Sequence, residues 1–140
     1  MIPRFPVGTL GVLATIDADG PHAIPVSALH RADDARLLLA LAPSRGSLAR
    51  LKATPAVALT LIAPGVATTV RGPAAVVADP LPGAEFVVGV EVLATAVDDA
   101  LTPRTLIDAG VIWRWTSVGD AERDDAVRAA LVRLSAGAAG

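Results

Sequence analysis

Seven short runs rich in Val, Ile, Leu and Thr follow one another along this chain, at residues 11–17, 21–29, 37–42, 56–62, 66–78, 85–97 and 110–116. Turn residues separate several of them: Asp19-Gly20, Asp33-Asp34, Pro64-Gly65 and Pro80-Leu81-Pro82-Gly83. Runs of this composition, bounded by such turns, read as β-strands. Strands and helices do not alternate, which disfavours a doubly wound parallel sheet and points to an antiparallel sandwich or barrel. The length of 140 residues fits one domain, 1–140, with a core that needs no staples. No internal repeat is visible.

Two helices interrupt the strands. The first is expected from Ser44, a good N-cap residue, to about Ala53, with Pro55 stopping it. Leu48 and Leu51 share one of its faces. The second is expected from about Ala121 to Ser135, capped by Asp120, with Val127, Ala130, Leu131 and Leu134 forming its apolar stripe. Its acidic residues come early and Arg128 and Arg133 late, the order that the helix dipole favours. The tail from Ala136 to Gly140 is expected to fray.

Composition removes several chemistries. The chain has no cysteine, so disulfides, thiolate nucleophiles and cysteine-ligated zinc are excluded. The net charge is -2 and no basic tract stands out, so nucleic acid is not an expected partner. The opening MIPRFPVGTLGVLATI is broken by Pro3, Pro6, Gly8 and Gly11, and it does not read as a signal peptide. No window offers the roughly 20 unbroken apolar residues of a membrane helix. A cytoplasmic protein is the default expectation.

Few residues carry chemistry on their own. In APSRGSLARL (42–51) a strand gives way to a helix at a serine followed by an arginine. Free amides at a helix start, beside a guanidinium, suit a phosphate through Ser44, Arg45 and Ser47. A plain N-cap with a solvated arginine explains the same residues. His22 and His30 show no metal-ligand spacing, and exposed loop positions account for both. Trp113 and Trp115 alternate with Arg114, which on a strand puts both rings on one face, to stack on a planar ligand or to fill a core. Three acidic pairs, Asp33-Asp34, Asp98-Asp99 and Asp124-Asp125, read as solvated. Glu91 lies in an apolar strand and calls for an arginine partner. The run 85–97 is apolar on both faces and long for a strand, which suggests burial on both sides or a subunit interface.

In order and spacing, LATIDADGPHAIPVSAL (13–29), LLLALAPSRGSLARLKATPAVALTL (37–61) and VRGPAAVV (70–77) resemble the pyridoxamine 5'-phosphate oxidase-like FMN-binding split-barrel superfamily. The likeness is good over about 15–78 and loose elsewhere. It implies a mainly β fold with two short helices, an antiparallel split β-barrel that forms a homodimer, with flavin in the groove between subunits. By the same resemblance Ile24, Pro25, Val26 and Ser27 run along the flavin ring, Ala40 and Leu41 face the cofactor, and Ser44 and Arg45 meet the FMN phosphate. Arg50 reaches the cofactor or the partner chain, and Trp113 or Trp115 approaches the ring from the other subunit. Pro25 is tolerated where a strand lines a cofactor groove and need not donate a ladder bond. The activity implied is that of a small FMN-dependent oxidoreductase of unknown substrate, with no metal. The second strand here reads AIPVSAL, without arginine or lysine. The alternative is therefore a barrel that has lost strong FMN binding and serves as a binding or sensing module for a deazaflavin, haem or apolar ligand.

Overall fold

A computed structural model describes residues 1–139. In chain order the elements are β1 (Gly11–Asp17), β2 (Gly20–Val26), β3 (Leu29–Arg31), β4 (Arg36–Leu41), α1 (Gly46–Ala53), β5 (Ala56–Ala63), β6 (Val66–Ala78), β7 (Val88–Leu93), β8 (Ala96–Asp99) and α2 (Val118–Ala139). All the strand pairs are antiparallel. The order across the sheet is β2-β1-β5-β6-β7-β4-β3, with β8 alongside β6. β2 and β3 lie at opposite ends of that order, yet only Ser27 and Ala28 separate them in the chain. The sheet must therefore curl until its two ends meet, which makes it a barrel split along the β2–β3 seam.

The curl is made by β6. Its first part pairs with β5 on one edge and with β8 on the other, and its second part pairs with β7. The handover falls at Gly72, where an added Cβ would lie 1.8 Å from the Leu93 carbonyl oxygen. Only glycine lets the end of β7 pass this close to β6.

The barrel interior is aliphatic. Leu13, Leu37, Leu39, Leu59, Leu61, Val70, Val90 and Val92 are all but fully buried there. A second cluster, Leu38, Leu81, Ala84, Val127, Ala130 and Leu131, seals α2 onto the outer face of β4 and β7. The stripe Val127, Ala130, Leu131 and Leu134 is the face that α2 turns to the sheet, as its spacing predicts.

Several expected boundaries move. The run 21–29 is two strands, β2 and β3, because the chain crosses the seam between them. The run 85–97 is shortened to β7 and broken from β8 at Ala94 and Thr95, whose amides bond Ala35 O and Arg71 O as the chain changes neighbours. Its two-sided burial is internal: Val88, Val90 and Val92 face the barrel, while the opposite face lies beneath α2. Leu93, at its end, is 44% exposed. Residues 110–116 form no strand, since no edge pairs with them.

Both helix starts also differ. α1 begins at Gly46 with Arg45 as its cap and no side-chain cap bond, because Arg45 N turns back to Ala42 O and leaves Ser44 exposed. α2 begins three residues before Ala121. Ser117 Oγ accepts from Asp120 N at 3.1 Å and donates to the Asp120 carboxylate at 2.9 Å, so Ser117 is the cap and Asp120 its reciprocal partner. At the other end α2 continues through Ala139, across most of the tail expected to fray, and Gly140 lies outside the described residues.

Candidate functional site

The β2–β3 seam is where polar backbone meets cavities. Ala28 O accepts from Ala40 N at 3.3 Å, joining the seam to β4. Ser27 O has no strand partner and accepts instead from Arg128 Nη2 at 2.7 Å. Arg128 Nε in turn donates to Asp124 at 2.9 Å, with the two side chains only 16% and 11% exposed. Asp124 is thus not solvated, because the arginine that satisfies the seam holds it against the barrel. Asp125, its neighbour, is exposed.

Two adjoining cavities open here. One, of about 300 Å³, is walled by Ser27, Ala28, Ala40, Phe86, Trp115 and the α2 residues Asp120, Arg123, Asp124 and Val127. The other, of about 340 Å³, is walled by Leu10, Pro25, Val26, Ser27, Trp113, Arg114 and Trp115. They share Ser27 and Trp115. The two indole rings stand edge to face, 5.6 Å apart at 79°, and Trp113 Nε1 donates to Gly8 O at 2.8 Å. Arg123 lies 4.6 Å over the Phe86 ring.

The expected site residues therefore divide. Pro25, Val26, Ser27, Ala40, Trp113 and Trp115 meet along the seam, and the tryptophans lie against β2 of their own chain. Ile24 packs on the barrel core, and Leu41 is 3% exposed within it. Neighbours on a strand face opposite ways, so Ala40 lines the groove and Leu41 cannot. Ser44 and Arg45 are exposed at the turn that follows β4 and line neither cavity. Arg50 folds back beside Gly46 at the start of α1. Its Nε donates to the buried Thr15 hydroxyl at 2.9 Å, Ser47 Oγ lies 3.5 Å from Nη2, and Asp17 lies 4.0 Å from Nη1. Arg50 thus ties α1 to β1.

Asp17 also meets His22 at 3.1 Å, and that bond is the main reason its carboxyl is held below its ordinary value. Burial pushes the His30 imidazole below its ordinary value. Glu91 has the arginine partner its setting demanded, Arg36 at 3.2 Å. Among the described residues no group of three His, Asp or Glu side chains is placed to hold a metal ion, and no helix is long and apolar enough to cross a membrane.

The sequence reading missed Ala28, Phe86, Arg123, Asp124 and Arg128 as seam residues. The i, i+4 spacing of Asp124 and Arg128 signals a pair on one helix face, but nothing local signals that the pair docks on a carbonyl 101 residues away.

Residues 7–114 match the family described as pyridoxamine 5'-phosphate oxidase. No curated protein matches the chain. Among solved structures, one titled F420 reductase superposes with a TM-score of 0.57 at 23% identity, over 65% of this chain and 90% of that one. A putative pyridoxamine 5'-phosphate oxidase from Listeria innocua gives 0.55 at 15% identity, over 65% and 87%. A FAD-binding protein from Mesorhizobium loti gives 0.54 at 15% identity, over 64% and 83%. These likenesses concern the fold, and α2 begins beyond the matched residues. With the family matched across most of its length and carried on an antiparallel split barrel, the chain belongs to the pyridoxamine 5'-phosphate oxidase family.

Proposed function

We propose that this chain is an FMN-dependent oxidoreductase that works as a homodimer, with the flavin ring along the β2–β3 seam. The observation that carries the reading is the pair of cavities that meet at Ser27 and Trp115. Their walls suit a flat aromatic ring: Pro25, Val26, Ala40 and the two indoles supply apolar and aromatic surface, and Ser27 supplies a hydroxyl. The neighbours titled F420 reductase and FAD-binding protein are named for molecules of the same tricyclic class. A bound flavin supplies the hydride acceptor and donor; the protein orients the ring and excludes water. β4 leads from Ala40 directly to the turn at Ser44 and Arg45. There the first amides of α1 have no side-chain cap, and the Arg45 guanidinium is exposed, a setting that fits the FMN phosphate. Arg50, bonded to Thr15, keeps its guanidinium beside Gly46 and Ser47 in the first turn of α1 and adds a second cation to this corner.

The dimer reading rests on the outer face of β2, β1 and β5. Pro21, Ala23 and Pro25 stand opposite Ile16, Ala14 and Val12, which adjoin Ala58 and Thr60. Val12, Ile16 and Ile62 are 43%, 45% and 53% exposed on this uncharged face. Pro25 belongs both to this face and to a seam cavity, so a partner seated here would wall the groove.

One observation favours the alternative of a barrel that holds a deazaflavin, haem or apolar ligand. Arg50 is partly committed to Thr15 and Asp17, which leaves Arg45 as the one cation of the phosphate corner without an ion-pair partner among the described residues. The test is the visible spectrum of freshly purified protein, followed by fluorescence titration with FMN. A flavin spectrum, or quenching at micromolar protein, is the expected result. A colourless protein that ignores FMN overturns the reading and sends the titration to deazaflavin and haem.

A further inference from the structure

Arg50 is held in a place that its own helix disfavours. A helical side chain leans toward the N-terminus, so the long arm of Arg50 reaches back one turn over Gly46. A Cβ added at Gly46 would lie 3.0 Å from Arg50 Nη1 and 3.5 Å from Cζ and Nη2, so the guanidinium rests on bare backbone. That end of α1 is the positive end of the helix dipole, and its first turn carries no acidic residue to offset a cation. Arg45, the cap residue, adds charge of the same sign.

The bonds that keep Arg50 there are unequal. Nε donates to Thr15 Oγ1 at 2.9 Å, and Thr15 is 2% exposed on β1. The terminal nitrogens have only long contacts among the described residues: Ser47 Oγ lies 3.5 Å from Nη2 and Asp17 lies 4.0 Å from Nη1. The Asp17 carboxylate also serves His22 at 3.1 Å and the Asp19 amide at 2.8 Å. The Arg50 side chain is only 19% exposed, so water reaches little of it. A mostly buried guanidinium thus has a weakly bonded outer edge beside the first amides of α1. An anion with several acceptor oxygens would complete that arrangement.

Resting on the FMN reading above, we propose that Gly46 and Thr15 are positioning residues for the phosphate corner. Thr15 fixes the guanidinium at Nε, and the bare backbone of Gly46 gives it room beside the helix start. Together they make the site prefer a flavin monophosphate to riboflavin, its dephosphorylated form.

The test is fluorescence titration of the whole protein with FMN and with riboflavin, which share the ring and differ in the phosphate. The wild-type chain should bind FMN roughly ten- to hundredfold more tightly. Gly46 is exposed and outside the left-handed region, and alanine is the better helix former, so Gly46→Ala should melt no lower than the wild type. It should nonetheless weaken FMN about tenfold and leave riboflavin unchanged. Thr15→Val should do the same, and Thr15→Ser, which keeps the hydroxyl, should restore the ratio. In an Arg50→Ala background Gly46→Ala should have no further effect, because it acts through the guanidinium. A Gly46→Ala protein that keeps the wild-type ratio of the two affinities overturns the inference, as does one that lowers the ratio by the same factor without Arg50. Both results leave the FMN reading standing. Equal binding of FMN and riboflavin by the wild type also overturns the inference while keeping a flavin ring in the seam. A wild-type chain that binds neither overturns the FMN reading and the inference together.

Discussion

His30 shows what one half-buried side chain does to the whole protein. Its imidazole ordinarily titrates near 6.5, and burial lowers that value in the folded chain. The unfolded chain takes up its proton first as the pH falls. Stability that is complete above the unfolded value is therefore lost as acidity moves toward the folded one. His30→Leu should flatten the fall in melting temperature between about pH 7 and 5, and an unchanged slope would show that the fall arises elsewhere. Asp17, Asp33 and Asp98 are also held low, chiefly by His22, Arg36 and Arg71 respectively. Their contribution is present above their unfolded value near 3.8 and disappears below it, a second and more acidic decline.

Arg45 is the residue on which the flavin reading is most exposed to test. Arg45→Ala should weaken FMN binding by roughly 1.5–3 kcal/mol, the worth of a hydrogen bond to a charged group. An unchanged dissociation constant in a fluorescence titration would remove Arg45 from the site. At this scale the sequence was legible where the meaning of a residue is local. Glu91 in an apolar strand announced its need for an arginine, and the structure supplies Arg36. It was illegible where direction matters: Leu41 follows Ala40 on β4 but faces the barrel interior, because a strand alternates its faces at every residue.

At the scale of elements, strand existence was readable and strand partnership was not. β1, β4, β5 and β6 carry their signals in composition, and their bounds lie close to the expected ones. Residues 110–116 have the same composition and form no strand, since a strand needs a neighbour that its own residues do not encode. The helix starts moved for a similar reason. Ser44 and Asp120 are both sound cap types, but the turn back to Ala42 and the reciprocal Ser117–Asp120 bond decided the register. Gly72 allows a direct test of the β6 handover. Gly72→Ala places a methyl on the Leu93 carbonyl and should destabilise the chain by about 3–5 kcal/mol, in place of the gain of about 0.4–1 kcal/mol that this replacement brings at an open site, read as a lowered urea midpoint. Arg128→Ala leaves both Ser27 O and the Asp124 carboxylate without their partner. It should cost about 1–3 kcal/mol in the same assay, while Arg123→Ala, which removes only an exposed contact to Phe86, should cost far less.

For the molecule as a whole, the succession of strands without alternating helices sufficed for an antiparallel barrel. Where the barrel splits was beyond reach, because the seam is defined by the meeting of the two ends of the sheet. The surface argued to form the dimer also changed. Most of β7 is buried by its own chain, and the exposed apolar face carrying Val12, Ile16 and Ile62 is the surface proposed instead. If that face joins two copies, Ile62→Asp should shift the protein to half its apparent mass in size-exclusion chromatography and loosen flavin binding with it. A double-sized particle that survives the substitution would assign the contact to another surface.

The pairing of β4 with β7 has a consequence for how the protein is made. Leu37, Leu39 and Leu41 emerge from the ribosome early, but their cross-strand partners Val92, Val90 and Val88 are translated only after β5 and β6. At about 5–20 residues per second, the greasy side of β4 stays uncovered for several seconds. During that interval β4 lacks the strand that completes its inner face, and the emergence of β7 sets the moment at which the barrel can close.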